Sequence, residues 1–233
     1  MKNHSQRTWY KDVHNTESRI LFVAGGIVLN VIPAFLANRF GLPLYIDTLG
    51  TVLVAAIGGG FSGIVTAVMT NAFCMLFNTS ALYFAFINAL IAIYISGFYR
   101  KRELNRVGSI LICILTVGIG SGLVSAIVQW SMFSHAQNAS IDDMSGAIAA
   151  AVNIPAFPAF CFVNLILNIL DKGLCIGLAF LIIRYLPGKF KELIEKADWR
   201  QRPLSIEEIR RMKKWSKDVK RSIWKRMAFT LLI

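Results

Sequence analysis

The sequence predicts an all-α, polytopic membrane protein: six transmembrane helices with both termini cytoplasmic, followed by a basic amphipathic cytoplasmic helix. Three observations carry this prediction. The 233 residues are 55% hydrophobic and only 16% charged, whereas a soluble domain has about a quarter of its residues charged. The 25 Lys and Arg are segregated, four in residues 1–19, four in 100–106 and fifteen in 184–226, with only Arg39 and Lys172 elsewhere. Between these clusters run apolar stretches, several of them near the ~20 residues that cross a bilayer. Basic clusters hold loops on the cytoplasmic side, which explains the net charge of +12 without nucleic acid as a partner. No zinc spacing or nucleic-acid-binding motif accompanies them.

Residues 1–19 are polar and basic, and a flexible or surface-lying cytoplasmic lead is expected there. Residues 20–38 form the first span, with Pro33 placed to kink its outer part. A secretory signal is the competing reading, but the run exceeds a usual h-region and lacks a small-x-small cleavage site. The architecture turns on residues 42–71, LPLYIDTLGTVLVAAIGGGFSGIVTAVMTN. As one helix this stretch crosses once, and the next span then carries Arg100-Lys101-Arg102 outside. As two helices, 44–57 and 61–77, it keeps that basic loop inside, so a hairpin at Gly58-Gly59-Gly60 is expected. Glycines permit the tight turn, and Gly59, Gly63 and Ala67 repeat at the four-residue spacing of closely packed membrane helices. A short turn at Asn78-Thr79-Ser80 leads into the fourth span, 81–98. The fifth follows at 107–131, where Gly118, Gly120 and Gly122 point to packing against neighbours. Residues 131–159 make the longest outer connection, free of Lys and Arg, with 144–152 suited to a short helix. Pro155 and Pro158 precede the sixth span, 160–186.

The segment 189–226 differs in kind. Ser205 and Glu208 after Pro203 form a capping-box signature. Ile206, Ile209, Met212, Trp215, Val219 and Ile223 then make an apolar stripe on a basic helix. Such a helix lies on the inner membrane surface among anionic lipids or docks on a cytoplasmic partner. Residues 227–233 turn apolar again, as a short anchor or the opening of a seventh helix continuing past residue 233.

The four cysteines and three histidines are isolated, and no nucleophile–base set, phosphate-cradling glycine loop or metal-ligand cluster is present. Neither an enzyme nor a cofactor is expected. Within the spans the charged residues are Asp47, Asp171 and Lys172. An Asp at a helix centre costs about 2.5–3.5 kcal/mol to insert, so intramembrane charges are functional candidates. Asn164, Asn168, Asp171 and Cys175 share one face of the last span, toward its outer half. Adjacent residues diverge by about 100° on a helix, so Asp171 and Lys172 are each expected to find a partner elsewhere rather than each other. The candidate ligand-binding residues are therefore Asp171, Asn168, Asn164, Asp47 and Lys172. The competing roles are interhelical hydrogen bonding for the stripe and an N-cap of the second helix for Asp47. Thr51 and Asn71 read as packing or hydrogen-bond residues, and Tyr45 and Trp130 as interface-belt aromatics.

The stretch IDTLGTVLVAAIGGGFSGIVTAVMTN resembles the acid–Gly–Thr, glycine-hairpin and closing Thr-Asn pattern of the substrate-binding (S) components of energy-coupling factor transporters. NLILNILDKGLCIGLAFLIIRYLP resembles their last helix, and the resemblance covers residues 20–188. It implies a six-helix protein of the bacterial cytoplasmic membrane that captures a vitamin-type small molecule from outside. The pocket would lie among the outer ends of helices four to six and the first outer loop, with Asn164, Asn168 and Asp171 facing the solute. Energy would come from separate coupling and ATPase subunits, since the chain has no nucleotide motif. The first span reads AGGIVLNVIPAFLAN, with Ala34 and Ala37 three apart rather than in an Ala-x-x-x-Ala docking face. That departure and the basic tail fit a similar module serving as the N-terminal ligand sensor of a larger signalling protein with a kinase or phosphatase output. A scaffolding bundle, its polar stripe only joining helices, is the third reading.

Overall fold

The computed structural model describes residues 2–101, 107–133, 138–187, 204–211 and 213–215, and every regular element among them is helical. Helix α1, Lys2–Arg39, runs without a break from the polar lead into the first apolar stretch. The polar lead is thus helical and continuous with the first span. No Gly or Pro interrupts residues 2–24, so a helix nucleated in the apolar part propagates back through them. The other end closes on Gly41 at φ 63°, with the Leu42 N–H donating to Ala37 O at 2.9 Å. This is a glycine-terminated Schellman end.

After a non-helical connection come α2, Leu49–Gly58, and α3, Gly60–Cys74. They form a hairpin rather than one helix. Gly59 sits at φ 90°, and a Cβ placed on Gly63 would stand 2.6 Å from the Ala55 Cβ. Both helices are shorter than the expected 44–57 and 61–77. Ten and fifteen residues reach about 15 and 22 Å, less than a ~30 Å hydrocarbon core. All ten residues of α2 are buried, wrapped by α1, α3 and the later helices. A short helix at membrane depth is tolerated when protein surrounds it.

A 3₁₀ segment, Thr79–Phe84, precedes α4, Ala85–Arg100, in place of one continuous fourth helix. Asn78 caps it, its Oδ1 accepting from the Ser80 N–H at 3.2 Å and from Ser80 Oγ at 2.6 Å. Helix α5, Val107–Phe133, lies along α7, Ala156–Tyr185. The fit between them depends on two glycines: a Cβ on Gly118 would meet Ile169 Cα at 2.7 Å, and one on Gly122 would meet Leu165 Cα at 2.9 Å. Gly120, on the opposite side, faces open space. Between them α6, Ala139–Val152, extends the expected short helix by five residues at its start. Asn138 caps α6 and also donates to Leu42 O at 2.7 Å, while Ser140 Oγ donates to Gly41 O at 3.0 Å. The α1–α2 connection is thereby pinned to α6.

Among the described residues, four helical stretches are long and apolar enough to cross a membrane: Thr16–Arg39, Thr79–Arg100 (the 3₁₀ segment together with α4), Val107–Phe133 and Ala156–Tyr185. Their outward faces are apolar, with Leu29, Ile32, Leu111, Leu115, Leu170 and Leu174 all exposed. Contiguous apolar surface on this scale is foreign to a soluble monomer and suits a lipid solvent. Beyond α7, Leu204 is buried and its N–H donates to Arg100 O at 2.7 Å. The capping box forms as its residues predict: Glu208 N–H donates to Ser205 Oγ at 3.2 Å, and Ser205 N–H to Glu208 Oε2 at 2.7 Å. Helix follows at 206–211 and 213–215. The stripe beyond Trp215 and the apolar segment 227–233 lie outside the described residues.

Candidate ligand-binding pocket

Asp171 stands fifteen residues after the start of α7 and fourteen before its end, at mid-helix rather than in the outer half. Its Oδ1 accepts from two backbone N–H groups of the α1–α2 connection, Tyr45 at 3.1 Å and Ile46 at 2.8 Å. Its Oδ2 accepts from Lys172 Nζ at 2.7 Å. Each of these neighbours does find a partner elsewhere, Asp171 on the α1–α2 connection and Lys172 on Asp47, but the expectation that they would not pair with each other is corrected. Their Cβ directions diverge, but the four-carbon lysine stem is long enough to bring its ammonium back. The same ammonium donates to Asp47 Oδ1 at 3.2 Å, and Asn88 Nδ2 from α4 donates to Asp47 Oδ2 at 2.8 Å. The side chains of Asp171, Lys172 and Asp47 are 1%, 5% and 16% exposed.

This cluster explains why α2 starts late. The backbone of residues 45 and 46 is turned toward α7, and Ile46 takes φ 45°, rare for a β-branched residue. Thr48 rather than Asp47 holds the N-cap position, and it makes no side-chain capping bond. Asp47 is thus an ion-pair residue, not a cap. Two enclosed hydroxyls lie nearby, Tyr45 beside the Gln129 amide and Thr48 beside the Cys175 thiol.

A polar pocket with a cavity volume of about 70 Å³, open at its mouth, lies over the cluster. Asp47, Lys172 and Asn168 line it, together with Asn88, Ser121 and Ser125. Farther up, the lining passes to Asn38, Asn71, Asn78 and Asn138, with Leu44, Phe77 and Phe84 as apolar wall. Those upper residues come from the end of α1, the end of α3 and the start of α6. They lie opposite the bundle end that carries Arg19, Arg100 and Arg184.

Of the five sequence candidates, Asp47, Lys172 and Asn168 reach the pocket, whereas Asp171 and Asn164 do not line it. Asp171 instead clamps the connection and the lysine. Asn164 is fully buried between helices, its Oδ1 accepting from Gln129 Nε2 of α5 at 3.1 Å and its Nδ2 donating to Phe160 O at 3.1 Å. Sequence reasoning missed Asn88, Asn38, Asn78 and Asn138 at the pocket. It also missed Asn30, whose amide joins α1 to Thr51 and Thr70 at 2.9 and 3.0 Å and accepts from Gly50 N–H at 2.6 Å. The available signal was the cost of any carboxamide in an apolar span. Tyr45 packs into the cluster of Ala126, Ile141 and Phe160 rather than lying free in an interfacial belt. Trp130 lies tilted against Phe157 and Phe160, with ring centroids 5.3 and 5.5 Å away. Among the described residues, no three His, Cys, Asp or Glu side chains gather as a metal site.

Among the described residues, fold and pocket together define an all-helical protein of the membrane-embedded class, with four long apolar helical stretches around a polar cavity. No protein-family model, curated protein or solved structure matches the chain.

Proposed function

We propose that this protein captures a small polar molecule from the side of the membrane opposite its basic clusters, in the manner of the transporter S components that its glycine hairpin resembles. The observation that carries the reading is the buried Asp47–Lys172–Asp171 cluster opening onto a cavity with six asparagines in its wall. Buried ion pairs are weak contributors to stability. A bundle that needed only packing has little use for one at mid-helix, and still less for a cavity beside it. Capture without a nucleotide site leaves energy to partner subunits, and the bacterial cytoplasmic membrane is the setting that the positive-inside pattern supports. The test is thermal stability of the detergent-solubilised protein against water-soluble vitamins and their precursors. A true ligand at a hundred times its dissociation constant adds ~2.7 kcal/mol, and Asn168→Leu should abolish that shift. Stabilisation that survives Asn168→Leu and Asn88→Leu, or none from any compound, defeats the reading.

One contact favours a second reading, ligand sensing for a signalling output. The Leu204 N–H is bonded to Arg100 O at the end of α4, and Asn88 of the same helix holds Asp47. Helix α4 therefore touches both the pocket and the start of the amphipathic segment. Sensing predicts that ligand changes hydrogen exchange at 204–215 and that the reading frame continues into a catalytic domain. Transport predicts neither.

A further inference from the structure

We infer that the pocket selects a ligand bearing a single positive charge on an N–H-donating group, such as an amidinium or a protonated aminoheterocycle, which Asp47 receives. The inference rests on the capture reading and names the chemistry of its ligand. Two carboxylates face one ammonium in the cluster, so one negative charge is in excess. Among the described residues that line the pocket, Lys172 is the only Lys or Arg, and no second cation among them offsets that charge. The excess falls on Asp47, because exposure rises from Asp171 through Lys172 to Asp47. The positive member is buried behind the negative one.

Hydrogen-bond valence points the same way. An ionised carboxylate has about four acceptor positions. Asp171 has three donors and faces no cavity. Asp47 has two, Lys172 on one oxygen and Asn88 on the other. Each Asp47 oxygen therefore keeps one acceptor position, the arrangement a forked N–H donor fills in bidentate fashion. The remaining polar wall is amide and hydroxyl, able to donate or accept and indifferent to the sign of a ligand. Leu44, Phe77 and Phe84 offer contact to an apolar body. A bare metal ion needs about six oxygens around it and would lie against the Lys172 ammonium. An anion would meet the exposed carboxylate before its shielded partner.

The test uses the wild-type protein in lipid nanodiscs with benzamidine, benzamide and benzoate, similar in size and charged +1, 0 and −1, alongside the vitamin panel. Benzamidine is expected to bind best and benzoate not at all. Asp47→Asn should weaken benzamidine roughly tenfold or more, the scale of a charge-assisted hydrogen bond, and leave benzamide within about twofold. If Asp47→Asn does not fold, the wild-type ranking of the three probes decides alone. Equal or tighter binding of benzamide or benzoate, or a tightest panel ligand that is neutral or anionic, overturns the charge assignment and leaves capture standing. No binding by any probe or panel member overturns both.

Discussion

Lys172 keeps two carboxylates compatible with an apolar interior, at 2.7 Å from Asp171 and 3.2 Å from Asp47. Lys172→Met removes the counter-charge of both, leaving Asp171 only its backbone donors and Asp47 only Asn88, and removing one member of a buried pair costs about 3–5 kcal/mol. The loss should exceed that of Asp47→Asn when unfolding is followed in mixed micelles. Adding Asp171→Asn to Lys172→Met should recover part of it, since an amide oxygen still accepts from Tyr45 and Ile46 and one unpaired charge is gone. Strict additivity of the two changes would show that the residues are uncoupled. Sequence reasoning found these charges because an ionised group in an apolar run has no cheap explanation. It misjudged their pairing because Cβ direction fixes where a lysine starts, not where its ammonium ends. Asn88 went unnoticed because one amide in an apolar helix reads as interhelical glue, and only the fold brings Asp47 to it.

At the scale of elements, glycine spacing was legible and glycine function only partly so. Gly118, Gly120 and Gly122 look alike in sequence, yet the first and third meet the α7 backbone and the second meets nothing. Gly118→Ala and Gly122→Ala are each expected to lower stability and separate α5 from α7. Gly120→Ala should be neutral or stabilising, by up to ~1 kcal/mol from helix propensity. Thermal unfolding of the three variants checks this, and equal losses would refute the packing assignment. The closest approach of all, Gly50 against Gly26, joins α1 to α2 beside the Asn30 bonds. Neither glycine stood out in sequence, because their partnership spans the α1–α2 connection. The hairpin was inferred from the position of a basic loop. The shortness of its arms was not, because α2 is delayed by hydrogen bonds from residues 45 and 46 to a side chain 125 residues away.

For the whole molecule, the arrangement of sides does not depend on whether α2 and α3 cross fully. A hairpin returns the chain to the side from which it entered, just as two complete crossings do. Reporter fusions after Lys101 and after Pro187 are therefore expected to share the side of the N-terminus, and fusions after Asn78 and Asn153 the opposite side. A reporter after Lys101 facing the same side as one after Asn78 would dismantle the order. Fusions after Gly59 separate the two alternatives: a complete crossing puts Gly59 at the cytoplasmic surface, and a re-entrant hairpin leaves it within the bundle.

By itself the sequence determined the helical class, the apolar elements, their order and the rare charges among them. Hydropathy and charge act locally, and a bilayer sorts them by simple transfer energies. The tertiary structure decided which charges meet, which amides face a cavity and which glycines are contacts. Those depend on side-chain reach and on helices distant in sequence, as when Tyr45, Asp47, Asn88 and Asp171 converge on one lysine.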